Sequence, residues 1–494
     1  MAQATNSLHV GKALTPEGWK RDVRLAWTAG VLTGAEAGVA PQSGEPRAAL
    51  AVPGLANLHS HAFQRAFAGL TERRGASADN FWSWREQMYR YALALSPDEV
   101  AAIAAQAYVE MLEGGFTRVG EFHYLHRAPD GRAYDDIGEL SARIAEAAQA
   151  TGIGLTLLPV FYAHSGFGGA DPSEAQRRFV NDLESFGRLF ERCETLVSAL
   201  DGANLGLAPH SLRAATPAEI DGLVELAAGR PLHIHVAEQT AEVEASLAAL
   251  GARPVAFLLD RFAVAANWCC VHATHMIPEE TRRLAASGAV AGLCPITEAN
   301  LGDGLFPARE FLESGGVFGI GSDSNVRINR AEELRMLEYG QRLTRRERNV
   351  FAPPGGSTAR ALFDGAARGG AQALGRASRG FAVGADADIV TFRGEVLERV
   401  EDDDDALSLW IFTDDAPIDA VYARGRKVVE DGEHVSRRRI NDRFRGALRD
   451  LRTRAPTKRA LLRRGASICL YKNTAWNLRQ SPRKATDADL CEGG

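Results

Sequence analysis

The chain has 494 residues, with 57 Lys and Arg against 63 Asp and Glu, a formal net charge of −6. That balance lacks the basic surplus of a nucleic-acid binder, and no run of 18 or more apolar residues is present to span a membrane. Six cysteines, none in a CxxC spacing, are too few for a disulfide framework, so buried free thiols such as Cys269 and Cys270 are expected. The opening MAQATNSLHVGK lacks the charged-then-apolar order of a secretory signal, and a reducing, cytoplasmic compartment follows.

In chain order, residues 1–52 hold short apolar stretches separated by Gly and Pro, and read as the first part of a small β-sandwich. Residues 53–380 change rhythm: eight apolar runs alternate with longer amphipathic stretches rich in Ala, Leu, Glu and Arg. The runs are GLANLHSH, TRVGEFHY, GLTLLPVF, LGLAPHS, PLHIHVAE, WCCVHATH, AVAGLCPI and GVFGIGSDS. Eight strands each followed by a helix predict an α/β fold, a (β/α)₈ barrel, whose chemistry sits where these runs end in His, Glu, Asp or Tyr. Residues 381–435 return to β-rich runs closed by Gly turns, the second part of the sandwich. Within them Glu401–Asp405, EDDDD, reads as a solvated loop. A C-terminal helix is expected over 436–455. Residues 456–494, with eight Lys and Arg against three Asp and Glu, read as a flexible tail carrying Cys469 and Cys491 as surface thiols.

Chemistry concentrates at the run ends. His59 and His61 lie two apart, so a strand puts both imidazoles on one face, within reach of one metal. His233 and His235 repeat the spacing, Glu238 follows, His272 ends the sixth run and Asp323 the eighth. Imidazoles plus a carboxylate suit zinc or a similar divalent cation with one position open for water. Such an ion lowers the pKa of bound water to roughly 7. Glu238 and Asp323 are both candidates to move the water's proton to a leaving group, with His272 polarising water or substrate. The pattern predicts hydrolysis.

PGLANLHSHAFQ, HVAEQ and GSDSN are the marks on which the chain resembles the amidohydrolase superfamily, in its mononuclear metal-dependent deaminase branch. LHSHAFQRAFAGLTERRG, DNFWSWREQMYR, GEFHYLHR, APHSLRA and LCPITEANLGDG narrow the resemblance to the family that deiminates N-formimino-L-glutamate in histidine degradation. It spans residues 8–455; the segment after Pro456 is outside it. The resemblance implies one divalent ion, with zinc the first choice, on His59, His61, His235 and Asp323. It implies Glu238 as proton shuttle and His272 as the group holding hydroxide and the tetrahedral intermediate, with Asp323 taking the proton of the attacking water. Binuclear relatives carry a lysine at the fourth strand end; LGLAPHSLR has none, which favours one metal. His233 is expected to be structural or to stand behind the ligands.

A substrate with two carboxylates calls for guanidinium forks. Arg85 and Arg213 are the arginines the motifs bring to the barrel mouth, with Gln64, Tyr124 and His210 as further substrate contacts. Trp82-Ser83-Trp84 is expected as loop packing that holds Arg85. Glu298, suited to anchoring a loop or an arginine, stays outside the catalytic set, and Arg327 has chain proximity to Asp323 as its only support. The alternative is a deaminase of the same branch acting on a purine or pterin. Family resemblance also suggests a homodimer, with a small-molecule dicarboxylate as the only other partner.

Overall fold

A computed structural model describes residues 5–74, 79–377 and 379–455. The expectations for the 456–494 tail and its two cysteines lie outside these residues.

The eight runs form the strands of a closed barrel: β1 Leu55–Ser60, β2 Phe116–His123, β3 Gly154–Phe161, β4 in two pieces (Asn204–Leu205 and Ala208–Pro209), β5 Leu232–Val236, β6 Trp268–His272, β7 Val290–Leu293 and β8 Val317–Ile320. All neighbours pair in parallel. Bridges Leu207 to Leu232 and Ser60 to Asp323 close the ring on either side. β4 is broken at Gly206, where a Cβ would lie 2.8 Å from Pro231 Cβ. β2, β3, β5, β6 and β7 are buried along their whole length, as strands covered by helices outside and by the barrel's own side chains inside must be.

Five helices bear on the site: α1 Phe81–Ala92, α2 Pro97–Glu113, α3 Pro295–Leu301, α4 Thr358–Ala373 and α5 Arg437–Arg454. Asn80 caps α1 by accepting from Trp82 N and Ser83 N, and Ser83 returns the favour to Asn80 N, a capping box. Trp82, Ser83 and Trp84 therefore form the first turn of a helix, where loop packing was expected. The box in D-N-F-W-S sets the helix start locally.

Both chain ends enter one eight-stranded sheet, in the order Glu433–His434, Arg426–Glu430, Ile418–Ala423, Ile389–Phe392, Arg47–Pro53, Asn6–Thr15, Gly18–Thr28, Val31–Glu36. The sheet folds over on itself. Trp27 and Tyr422, from strands far apart in that order, meet edge-on at 5.8 Å between ring centroids. Leu32 and Ala385 exchange a backbone hydrogen bond of 2.8 Å across the fold. Leu8, Val10, Val23, Leu25, Leu32, Phe381 and Ile389 fill the space between as a separate apolar core. The EDDDD run leads into a helix, Asp405–Thr413, and fastens this sheet: Asp403 pairs with Lys12 at 2.6 Å and Asp404 accepts from Trp19 Nε1 at 2.8 Å. Its acidity thus serves a helix N-terminus and a buried lysine. Among the described residues no helix is long and apolar enough to cross a membrane.

Candidate active site

Strand periodicity places the histidines. His59, in β1, and His61, just past it, point to the barrel axis, and His235 in β5 reaches the same point from across the ring. Their Nε2 atoms converge: His59 to His61 is 3.2 Å and His59 to His235 is 3.1 Å. Asp323 Oδ1 lies 3.1 Å from His61 Nε2 and 3.5 Å from His59 Nε2. Backbone carbonyls orient two of the rings from behind: His61 Nδ1 bonds Phe122 O and His235 Nδ1 bonds His210 O, each at 3.0 Å. With Nδ1–H donating outward, the Nε2 lone pairs face the centre. Burial pushes His59 down to about 3 and His235 well below the usual imidazole range, so neither carries a proton there at neutral pH. Three ring nitrogens and a carboxylate offer donor atoms within 4.8 Å of one another, and this is the donor set a divalent cation satisfies. Burial alone would raise Asp323, but the adjoining His59 and His61 rings outweigh it and hold the carboxylate well below its ordinary range.

Asp323 is held in a left-handed backbone conformation, φ 44°, as is His272 at φ 68°. Strain of this kind persists where the surroundings fix it. Asp323 N donates to His59 O and His61 N donates to Asp323 O, both at 2.9 Å, locking the carboxylate to the H-x-H strand end. Asn325 adds bonds of 3.1 Å to Ser60 Oγ and to Asp323 O.

Beside this centre, His272 Nε2 is 3.8 Å from both Glu238 Oε1 and Asp323 Oδ2. Its Nδ1 faces Glu298 Oε1 at 3.2 Å. Burial would lower His272, but Glu238, the Glu298 hydrogen bond and Asp323 together push it up to about 10. Burial raises Glu238 above the usual carboxylate range. Glu298 is therefore the partner of His272 rather than of an arginine. It stands in the first turn of α3, where Cys294 N also donates to it at 2.9 Å.

A narrow pocket opens from the centre, lined by His61, Gln64, Arg85, Tyr124, His210, Arg213, His235, Glu238, His272 and Asp323. Arg213 Nη2 lies 3.9 Å from Glu238 Oε2, and its buried Nε has no partner. Trp82 lies between the guanidiniums, 4.4 Å from Arg85 Cζ and 5.9 Å from Arg213 Cζ. Gln64 Nε2 donates to Tyr124 OH at 2.8 Å, which leaves its buried Oε1 free. His210 packs against Tyr162 at 4.7 Å and bonds Ser211 Oγ at 3.2 Å.

Tyr89 and Tyr162 add to the walls without having been singled out from sequence, and Trp84, expected as loop packing, lines the pocket with them. Tyr162 directly follows the third run, so the strand-end rule reaches it. Two other residues lie elsewhere: His233 Nε2 bonds Ala373 O at 2.7 Å beneath the site, and Arg327 pairs with Glu332 on the surface. A second cavity, of about 480 Å³, lies at the beginnings of the strands beside Arg118 and Asp386, the barrel end that does not carry chemistry.

Residues 50–428 match the amidohydrolase family, and residues 5–49 match the formimidoylglutamate deiminase HutF N-terminal domain. The chain belongs to the amidohydrolase family. It is 48% identical to a formimidoylglutamate deiminase from Pseudomonas aeruginosa over 90% of this chain and 99% of that one. The crystal structure of an amidohydrolase from Brucella melitensis superposes with a TM-score of 0.89 at 54% identity, covering 90% of this chain and 99% of the other. A 5-methylthioadenosine/S-adenosylhomocysteine deaminase from Natronomonas pharaonis is 28% identical over 74% of this chain and 78% of its own.

Proposed function

We infer that the protein is a formimidoylglutamate deiminase, hydrolysing N-formimino-L-glutamate to N-formyl-L-glutamate and ammonia in histidine degradation. The observation that carries this reading is the pair Arg85 and Arg213 facing a His-rich centre across one small pocket. A dicarboxylate places its carboxylates on the guanidiniums and its formimino carbon at the centre. A purine would instead need amide and stacking contacts. Similarity to the Pseudomonas aeruginosa deiminase over nearly its full length supports the same substrate.

His59, His61, His235 and Asp323 would hold one divalent ion, zinc by the chemistry of three imidazoles and a carboxylate. When bound, the ion supplies Lewis acidity that brings water near a pKa of roughly 7. Asp323 takes a proton from the attacking water as it reaches the formimino carbon. Glu238, raised by burial, delivers a proton to the imino nitrogen and then takes the proton of the tetrahedral hydroxyl as C=O forms, while the proton held by Asp323 passes to the same nitrogen, so that ammonia leaves with the C–N bond electrons. His272, 3.8 Å from Asp323 Oδ2 and backed by Glu298 at Nδ1, stabilises the oxygen of the tetrahedral carbon. Arg85 and Arg213 orient the glutamate moiety, with Gln64, Tyr124 and His210 adding hydrogen bonds. We take the enzyme to be a cytoplasmic homodimer.

Arg213→Met tests the substrate assignment. KM for N-formimino-L-glutamate should rise on the order of 30-fold or more, since a truncated buried charge contact is worth about 2–5 kcal/mol. N-formimino-glycine, with one carboxylate fewer, should be affected less. An equal loss on both substrates would remove Arg213 from dicarboxylate recognition.

A further inference from the structure

The last strand ends carry a second donor set that hydrolysis does not use as such. Cys294, the residue after β7, is fully buried, and its thiol, His272 and Asp323 offer donor atoms within 4.8 Å of one another. Asp323 presents its two oxygens to different places. Oδ1 faces His61 and His59 at 3.1 and 3.5 Å, whereas Oδ2 faces His272 Nε2 at 3.8 Å. A carboxylate placed this way can bridge two cations. His272 is already arranged as a ligand: Glu298 occupies Nδ1 from behind at 3.2 Å and leaves Nε2 to the site, the carboxylate–imidazole relay that strengthens a metal-binding histidine. The same Glu298 oxygen accepts from Cys294 N at 2.9 Å, so imidazole and cysteine are fixed through one group. A cation entering displaces the Cys294 thiol proton and the His272 Nε2 proton to solvent, and thiolate, imidazole and carboxylate then form a borderline-soft set, selective for Zn²⁺ or Cd²⁺ over Mg²⁺.

We propose that His272, Cys294 and Asp323 form a second, inhibitory site for a thiophilic divalent cation, bridged by Asp323 to the ion of the His59–His61–His235 centre. An ion there occupies His272 Nε2 and Asp323 Oδ2, the atoms that manage protons and charge in the reaction. Occupancy therefore arrests turnover. This effect on rate rests on the deiminase reading; the binding itself does not.

The test titrates the one-zinc enzyme with further Zn²⁺ and, separately, with Cd²⁺. Metal per chain is counted after gel filtration, thiolate-to-cadmium absorption is followed in the ultraviolet, and residual turnover is measured. The wild type should take up a second equivalent, gain the absorption band and lose turnover. Cys294→Ala and Cys294→Ser should keep the uninhibited turnover, stop at one equivalent, show no band, and need roughly tenfold or more excess metal for the same inhibition. A wild type that stops at one equivalent, or Cys294 variants that bind and are inhibited like the wild type, would overturn the proposal. Metal count and absorption need no substrate, so an error in the substrate assignment leaves them unchanged.

Discussion

Glu298 touches no reacting atom in the proposed reaction and acts through His272, whereas Glu238 faces the pocket directly. Their substitutions should therefore differ in kind. Glu238→Gln should lower kcat on the order of 10²- to 10⁴-fold with metal content unchanged, the loss expected when a general acid is removed. Glu298→Gln should cost about 10- to 100-fold and also move the pH profile. The wild-type His272 is pushed up to about 10 against burial by Glu238, Glu298 and Asp323. Removing the Glu298 charge lets His272 lose its proton at lower pH, so the alkaline limb of kcat should shift acidward. A limb that stays in place would deny that Glu298 works through His272. The H-x-H, H-x-x-E and strand-end Asp were legible because strand periodicity alone brings such residues to one face. Glu298 was not, because its bond to His272 joins residues 26 apart, one ending β6 and one in α3, which no spacing announces.

Among the elements, β1 is the one on which the barrel closes. Leu58, next to His59 and fully buried, lies against β7 and β8, which make room for it with glycines. A Cβ at Gly292 would lie 2.9 Å from Leu58 Cδ1, and one at Gly319 would collide with Leu58 Cδ2 while lying 2.7 Å from Gly370 N. Gly319→Ala should thus destabilise the protein by about 1–3 kcal/mol, the cost of overpacking. It should also disturb His59, the next residue of β1. Thermal denaturation together with zinc affinity checks both, and an unchanged Tm would contradict this packing. The eight strands were readable as apolar runs ending in polar residues. The first turn of α1 was misread because W-S-W carries no helical period; the capping box at Asn80 was the available signal.

At the scale of the whole molecule, the segments flanking the barrel share one sheet. Arg47–Pro53 of that sheet runs into β1 through Gly54, and Ile389–Phe392 pairs beside it. α5 reaches back to the barrel, where Arg437 pairs with Glu113 and Arg454 with Glu99 of α2. Arg90 of α1 donates to Ala455 O at 2.9 Å, so the residue that follows α5 steadies the helix bearing Arg85. β-rich composition at both ends made this sheet foreseeable. Its fold-over, fixed by contacts such as Trp27 with Tyr422, was not. Because β1, β5 and the segment after β8 share one cation in this reading, a chelator should abolish turnover and lower Tm. A free ion at a hundredfold of its Kd stabilises a fold by about 2.7 kcal/mol, and a Tm indifferent to chelation would place the ion elsewhere.

The most direct measurement is ammonia release by the zinc-loaded enzyme from N-formimino-L-glutamate, run beside N-formimino-glycine, guanine and adenine. The account predicts rapid turnover of the glutamate compound, with N-formyl-L-glutamate as the other product, and little or none of the rest. Turnover of a purine in its place would keep the barrel and the metal centre but contradict the dicarboxylate site formed by Arg85 and Arg213.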